Sequence, residues 1–137
     1  AQKIAQMTDA DLDALLNNPD IIRNKMKIYA TRANAQAFLA VQKQFGSFND
    51  YIWSFVDFKT IDNEILDYKE APAKTELSET MSKALKKQGF KFVGPVCVYS
   101  FLEAAGLIND HENDCDFNPH KNTVWEKLST VFFNFFF

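Results

Sequence analysis

A chain of 137 residues, 47% hydrophobic and 24% charged, is long enough to bury one substantial core and short for two domains. Its net charge of −3 excludes a globally basic nucleic-acid binder, so any nucleic-acid contact must come from a local patch. Two cysteines, Cys97 and Cys115, are too few for a disulfide scaffold, and no basic-then-apolar leader opens the chain, so a reducing cytoplasm is the expected compartment. Only four glycines and four prolines, without any extended apolar-polar alternation, predict an all-α chain.

Thr8-Asp-Ala-Asp11 reads as an N-cap with acidic residues in the first turn, followed by Leu12, Leu15 and Leu16 at helical spacing. Asn17-Asn-Pro-Asp20 ends that helix. From about Ile22 to Phe45, apolar residues recur at Ile22, Met26, Tyr29, Ala30, Ala33, Ala37, Phe38 and Val41, the pattern of a long amphipathic helix closed by Gly46. Arg23, Lys25, Lys27 and Arg32 are expected on its solvated face. Ser47-Phe-Asn-Asp50 caps a short helix carrying Tyr51, Ile52, Trp53, Phe55 and Val56, expected in the core. Residues 57–77, with Pro72 and no clear period, read as a connecting loop.

A helix from about Ser78 to Gln88, with Met81, Ala84 and Leu85 inward, leads into the most informative stretch. Gly89 can take the left-handed conformation that closes a helix, and Pro95 suits the first turn of the next, which runs to about Gly106. Between them Phe90, Phe92 and Val93 are expected to turn inward. Lys83, Lys86, Lys87 and Lys91 place four positive charges within nine residues, beside backbone amides near a helix N-terminus, where anions are favoured. The element reads as a helix-hairpin-helix that holds a nucleic-acid phosphate. Cys97 is expected buried as a small apolar residue.

His111 and Cys115 are four apart, so on a helical turn both would face one way, a spacing that suits zinc. Structural zinc takes four ligands, and Cys97 and His120 are the further soft candidates. The last stretch, Val124 to Phe137, has five phenylalanines in its final six positions and is too short and too charged for a membrane span.

Several segments together carry a likeness. Asn18-Pro-Asp-Ile-Ile-Arg-Asn-Lys-Met-Lys-Ile28, Gly46-Ser-Phe with Tyr51-Ile-Trp-Ser-Phe-Val56, Ser82 to Pro95, Tyr99-Ser-Phe101 and Gly106-Leu-Ile-Asn-Asp-His111 stand in the order found in the DNA-3-methyladenine glycosylase I family, and the chain resembles its C-terminal portion over about residues 15 to 115. The resemblance implies an all-α helix-hairpin-helix glycosylase bundle, truncated at the N-terminus, occupying residues 1–123, with 124–137 a tail of no assigned role. It implies a monomer that removes 3-methyladenine from alkylated double-stranded DNA and makes no membrane contact. Lys86, Lys87, Gly89, Lys91 and Gly94 would touch DNA. His111 and Cys115 match two of the four ligands of a structural zinc ion. The family's other two ligands, its base-pocket glutamate and most of its stacking aromatics stand nearer the N-terminus and have no counterpart here. Hence no catalytic residue is assigned, and the 137 residues alone are expected to be inactive. The alternative is a helix-hairpin-helix remnant that binds DNA and excises nothing.

Overall fold

The computed structural model describes residues 1–118, so His120, the end of the expected 1–123 domain and the Phe-rich tail lie outside the described residues. Among the described residues the helices are α1 (Gln2–Ala5), α2 (Asp9–Leu15), α3 (Lys25–Phe45), α4 (Phe48–Trp53), α5 (Glu76–Lys87) and α6 (Pro95–Ala104), with short 3-10 turns at Ser54–Val56 and Tyr68–Glu70. The fold is mostly helical, but the all-α expectation needs one correction. Two two-residue strands, β1 (Ile61–Asp62) and β2 (Ile108–Asn109), pair in parallel. Strands this short have no period to read. None of the described helices is long and apolar enough to cross a membrane.

Packing divides the described residues into two compact units, one of residues 1–48 with 83–93, the other of residues 49–82 with those from 94 onward. In the first, α1 and α2 pack on α3. Thr8 starts α2 through a reciprocal capping box: its hydroxyl accepts from the Asp11 amide at 3.2 Å, and the Asp11 carboxylate accepts from the Thr8 amide at 2.7 Å. Leu12, one turn on, is fully buried. The long helix begins at Lys25, three residues later than its apolar pattern suggests, because the Asn24 side chain takes the Lys27 amide and caps it there. Ile22, expected inward, is therefore outside the helix and 84% exposed, and Met26, also expected inward, is 74% exposed in its first turn. Arg32 also departs from expectation. Instead of facing solvent it donates to the Met7 carbonyl at 2.9 Å and pairs with Asp9 at 2.7 Å, tying the start of the chain to α3. Ile28, Ala30, Ala35, Ala37, Phe38 and Val41 line the buried face of α3, and Phe48 stacks between Phe38 and Phe90, its ring centroid 4.8 and 5.8 Å from theirs.

In the second unit, the start of α5 is a capping box with no clear mark in the sequence: the Thr75 amide donates to Ser78 Oγ at 2.9 Å, and the Ser78 amide to Thr75 Oγ1 at 3.3 Å. Tyr51, Ile52, Val56, Met81, Val98, Tyr99, Leu102 and Leu107 are among its buried apolar residues. Cys97, expected among them, is exposed. Nearly every residue from Pro95 to Leu102 is apolar, so the pattern does not say which face turns inward.

The far end of α5 closes on Gly89. Its amide donates to the Lys86 carbonyl at 3.0 Å and the Phe90 amide to the Leu85 carbonyl at 3.1 Å, a Schellman closure with Phe90 and Leu85 both buried. Gly89 has φ +96, a conformation in which a Cβ is strained. Gly94 differs: its φ of −66 is ordinary for any residue, and an added Cβ would meet nothing within 4 Å. Gly89→Ala is therefore expected to destabilise the fold by about 1–2 kcal/mol, whereas Gly94→Ala is expected to stabilise it by about 0.4–1 kcal/mol. Urea denaturation of the two variants checks the opposite signs.

Candidate nucleic-acid interface and metal-ligand pair

Lys83, Lys86, Lys87 and Lys91 are all exposed, the last two of α5's lysines lying in its final turn. Carbonyls at a helix C-terminus favour such cations. Past the Schellman closure the chain is held by Asn34 on α3, a residue that no motif in the sequence singles out. Its Oδ1 accepts from the Lys91 amide at 2.7 Å and its Nδ2 donates to the Lys91 carbonyl at 3.1 Å. Both backbone groups of one hairpin residue are thus satisfied by one carboxamide, as a neighbouring strand would satisfy them. A Cβ added at Gly89 would sit 3.9 Å from that of Ala37, so the hairpin runs close along α3. Asparagine is a poor helix former, and its presence inside an otherwise favourable helix is the one local hint. Of the three residues expected inward, Phe90 is buried and Val93 half-buried, while Phe92 is 51% exposed with φ +58. Gly94, in the other unit, is the N-cap of α6 without a side-chain cap.

In the second unit the loop after β2 carries His111 and Cys115. The Ile61 amide bonds the Leu107 carbonyl at 2.9 Å and the Asn63 amide the Asn109 carbonyl at 3.1 Å, building the ladder. Side chains extend it. Asn109 donates to Asp62 at 2.6 Å and accepts from the His111 amide at 3.2 Å. Asn63 donates to Asp110 at 2.6 Å, and the Tyr99 hydroxyl donates to the other Asp110 oxygen. Asn118, with no exposed surface, donates to the carbonyls of His111 and Glu112, each at 3.2 Å. The segment is not the helical turn that its spacing suggested. It is a series of tight turns, with the Cys115 amide on the Glu112 carbonyl. Even so, His111 Nδ1 and Cys115 Sγ lie 3.6 Å apart. Two ligands at ordinary zinc distances and a tetrahedral angle would be about 3.5 Å apart, so the pair fits one edge of such a site. No third His, Cys, Asp or Glu completes a cluster among the described residues.

Beside this loop Glu103, Ala104, Ile108, Asp110 and His111 line a cavity of about 290 Å³. Burial, and then the charge of Asp110, raise the Glu103 carboxyl above its ordinary pKa. Burial, and then the bond to Asp110, raise the Tyr99 hydroxyl as well. A carboxyl raised in the folded state adds stability below its unfolded pKa, and that stability is lost as pH rises through the folded value. Glu103→Gln is thus expected to melt higher than the parent near about pH 7, with the difference gone near about pH 4. Melting curves at the two pH values check this.

Known proteins share this pattern of residues and this fold. The family model described as methyladenine glycosylase matches residues 1–119. The chain is 47% identical over 114 residues to a DNA-3-methyladenine glycosylase of Haemophilus influenzae, covering 83% of this chain and 62% of that protein. With DNA-3-methyladenine glycosylase 1 of Escherichia coli it shares 42% over 113 residues, 82% of this chain and 60% of the relative. A solved 3-methyladenine DNA glycosylase I from Staphylococcus aureus is similar with TM-score 0.84 at 40% identity, over 88% of this chain and 64% of that one. The chain spans less than two thirds of each of these relatives. With the family's pattern running from residue 1 to residue 119, the chain belongs to the methyladenine glycosylase family.

Proposed function

We propose that the chain grips duplex DNA within a DNA-3-methyladenine glycosylase, a base-excision repair enzyme that hydrolyses the N-glycosidic bond of 3-methyladenine in alkylated DNA. The observation that carries this reading is the exposed four-lysine segment around the Gly89 closure, held to α3 by Asn34, in a chain of this family. In this reading α5, the hairpin and α6 form a helix-hairpin-helix, the N-terminal part of the family's bundle being supplied by sequence other than these residues. The protein acts as a monomer in the cytoplasm.

The chemistry divides naturally. An enzyme that acts on a base inside a duplex must hold the strand, turn the base out and read it in a pocket. Methylation at N3 makes adenine cationic and a good leaving group, so stacking and a carboxylate can replace a strong catalytic nucleophile. Lys86, Lys87 and Lys91 neutralise phosphates, the Gly89 turn brings the backbone round, and Gly94 offers an amide that no side chain covers. No residue here is given a catalytic role, and the 137 residues by themselves are proposed to bind without excising.

For zinc, His111 and Cys115 would be two of the four ligands, and the metal would supply cross-linking rather than catalysis. The Asn109 and Asn118 hydrogen bonds hold the pair's loop in shape.

Two measurements test these readings. The lysines are tested by titrating methylated duplex DNA at several salt concentrations. Lys86→Glu/Lys87→Glu should weaken binding and lower the salt slope by about 2, and an unaltered slope would refute the contact. Free 3-methyladenine released in the same samples would place the chemistry within these residues and overturn the division of labour. Metal binding is tested by competition with a chromogenic zinc chelator, where His111→Ala and Cys115→Ser should each weaken uptake at least about tenfold.

A further inference from the structure

A bulky residue at positive φ is a backbone outlier, tolerated where the surroundings impose it. Phe92 is such a residue, at φ +58. It is also half out in water, 51% exposed, so its ring is not held there by burial. The residue before it is held in place, since Asn34 bonds both the amide and the carbonyl of Lys91. Among the described residues the Phe92 amide donates no hydrogen bond.

Phe58 offers a contrast. It too is exposed, at 60%, with φ +59. Its conformation has a local reason, however: its amide reaches back to the Trp53 carbonyl at 3.0 Å and closes a helical segment. Phe92 has no such reason within its unit. Glycine would relieve the strain and asparagine would reduce it, yet an aromatic ring stands at this position, next to Lys91 and five residues from Lys87.

We infer that Phe92 is an apolar contact for DNA, its ring packing on the deoxyribose of the strand whose phosphates the lysines neutralise. The inference rests on the DNA-gripping function proposed above. Charge complementarity selects the occupant. Four exposed cations precede the exposed ring within nine positions, which suits a partner that alternates anionic groups with apolar sugar faces. The Phe92 amide adds a donor for a phosphate oxygen at the same point. Contacts of this kind position a duplex without reading its sequence. The strain at Phe92 is then the cost of carrying a ring where the backbone would favour glycine.

The test uses the whole 137-residue chain and a duplex oligonucleotide, with affinity measured across a range of salt concentrations. Phe92→Gly should fold with an unchanged or higher melting temperature, because φ +58 suits glycine. Its DNA affinity should fall about tenfold at an unaltered salt slope, since no cation is removed. Phe92→Asn, which also tolerates the left-handed conformation, should behave in the same way and serves if the glycine variant folds poorly. Phe92→Leu should recover most of the affinity, because a sugar face needs apolar surface and not stacking. Lys91→Ala, in contrast, should lower both the affinity and, by about 1, the salt slope. Undiminished binding by Phe92→Gly and Phe92→Asn would overturn the role of Phe92 alone. Failure of the parent chain to bind would overturn the DNA reading on which it rests.

Discussion

Both segments to which a function can be attached contain a loop, and a loop's backbone groups must find partners that no helix or long sheet supplies. In this chain asparagine carboxamides are those partners. Asn34 satisfies both backbone groups of Lys91, and buried Asn118 takes two consecutive carbonyls beside His111. Asn109 does the same for the His111 amide while its other end holds Asp62. A carboxamide carries one acceptor and two donor hydrogens in a plane, which is the complement of a peptide group. Replacing it by a hydroxyl or an apolar side chain would leave a backbone donor or acceptor open, and the loops would lose the shape that places lysine, histidine and cysteine.

The two segments use rigidity differently. The hairpin is pinned at its base, by the Gly89 closure, the Phe38–Phe48–Phe90 stack and Asn34, while its lysines are left to solvent. That division suits recognition of a phosphate chain, where the backbone must be fixed but long cationic side chains can adapt. The His111 loop is pinned throughout, from the β1–β2 ladder to the bond between the Tyr68 amide and Glu112. The metal-ligand pair proposed for His111 and Cys115 would gain from that uniform restraint, because ligands already in place lose less freedom on binding.

Much of this is legible in the residues. Thr8, Gly46, Gly89 and Pro95 mark helix ends by local chemistry, and each stands at such an end. The buried side of α5 is also readable, because Met81 and Leu85 alternate with lysines. Facing is unreadable where composition is uniform: α6 is apolar nearly throughout, so its pattern leaves Cys97 inside although it is exposed. The apolar run before α3 misleads for another reason. Ile22 and Met26 fit the helical period, but Asn24 sets the cap, and a cap depends on one side-chain bond rather than on a pattern. Of the site, the lysines and the His111–Cys115 pair can be picked out by type and spacing. Asn34, Asn63 and Asn109 cannot, since each acts on a residue dozens of positions away, and only Asn34, a poor helix former inside a helix, leaves even a faint local mark.

The β1–β2 ladder is only two residues long, yet its partners, such as Asp62 and Asn109, are 47 positions apart in sequence. Bringing such distant segments together costs loop-closure entropy before any bond is gained, so contacts of this kind form late as a chain folds. The His111 loop takes its shape from that ladder. Helix α3, by contrast, is assembled from near neighbours and has no such delay. Topology thereby delays both loops: α3 itself can form early, but its Asn34 clamp on Lys91 joins residues 57 positions apart, and the His111 loop waits on partners 47 positions apart.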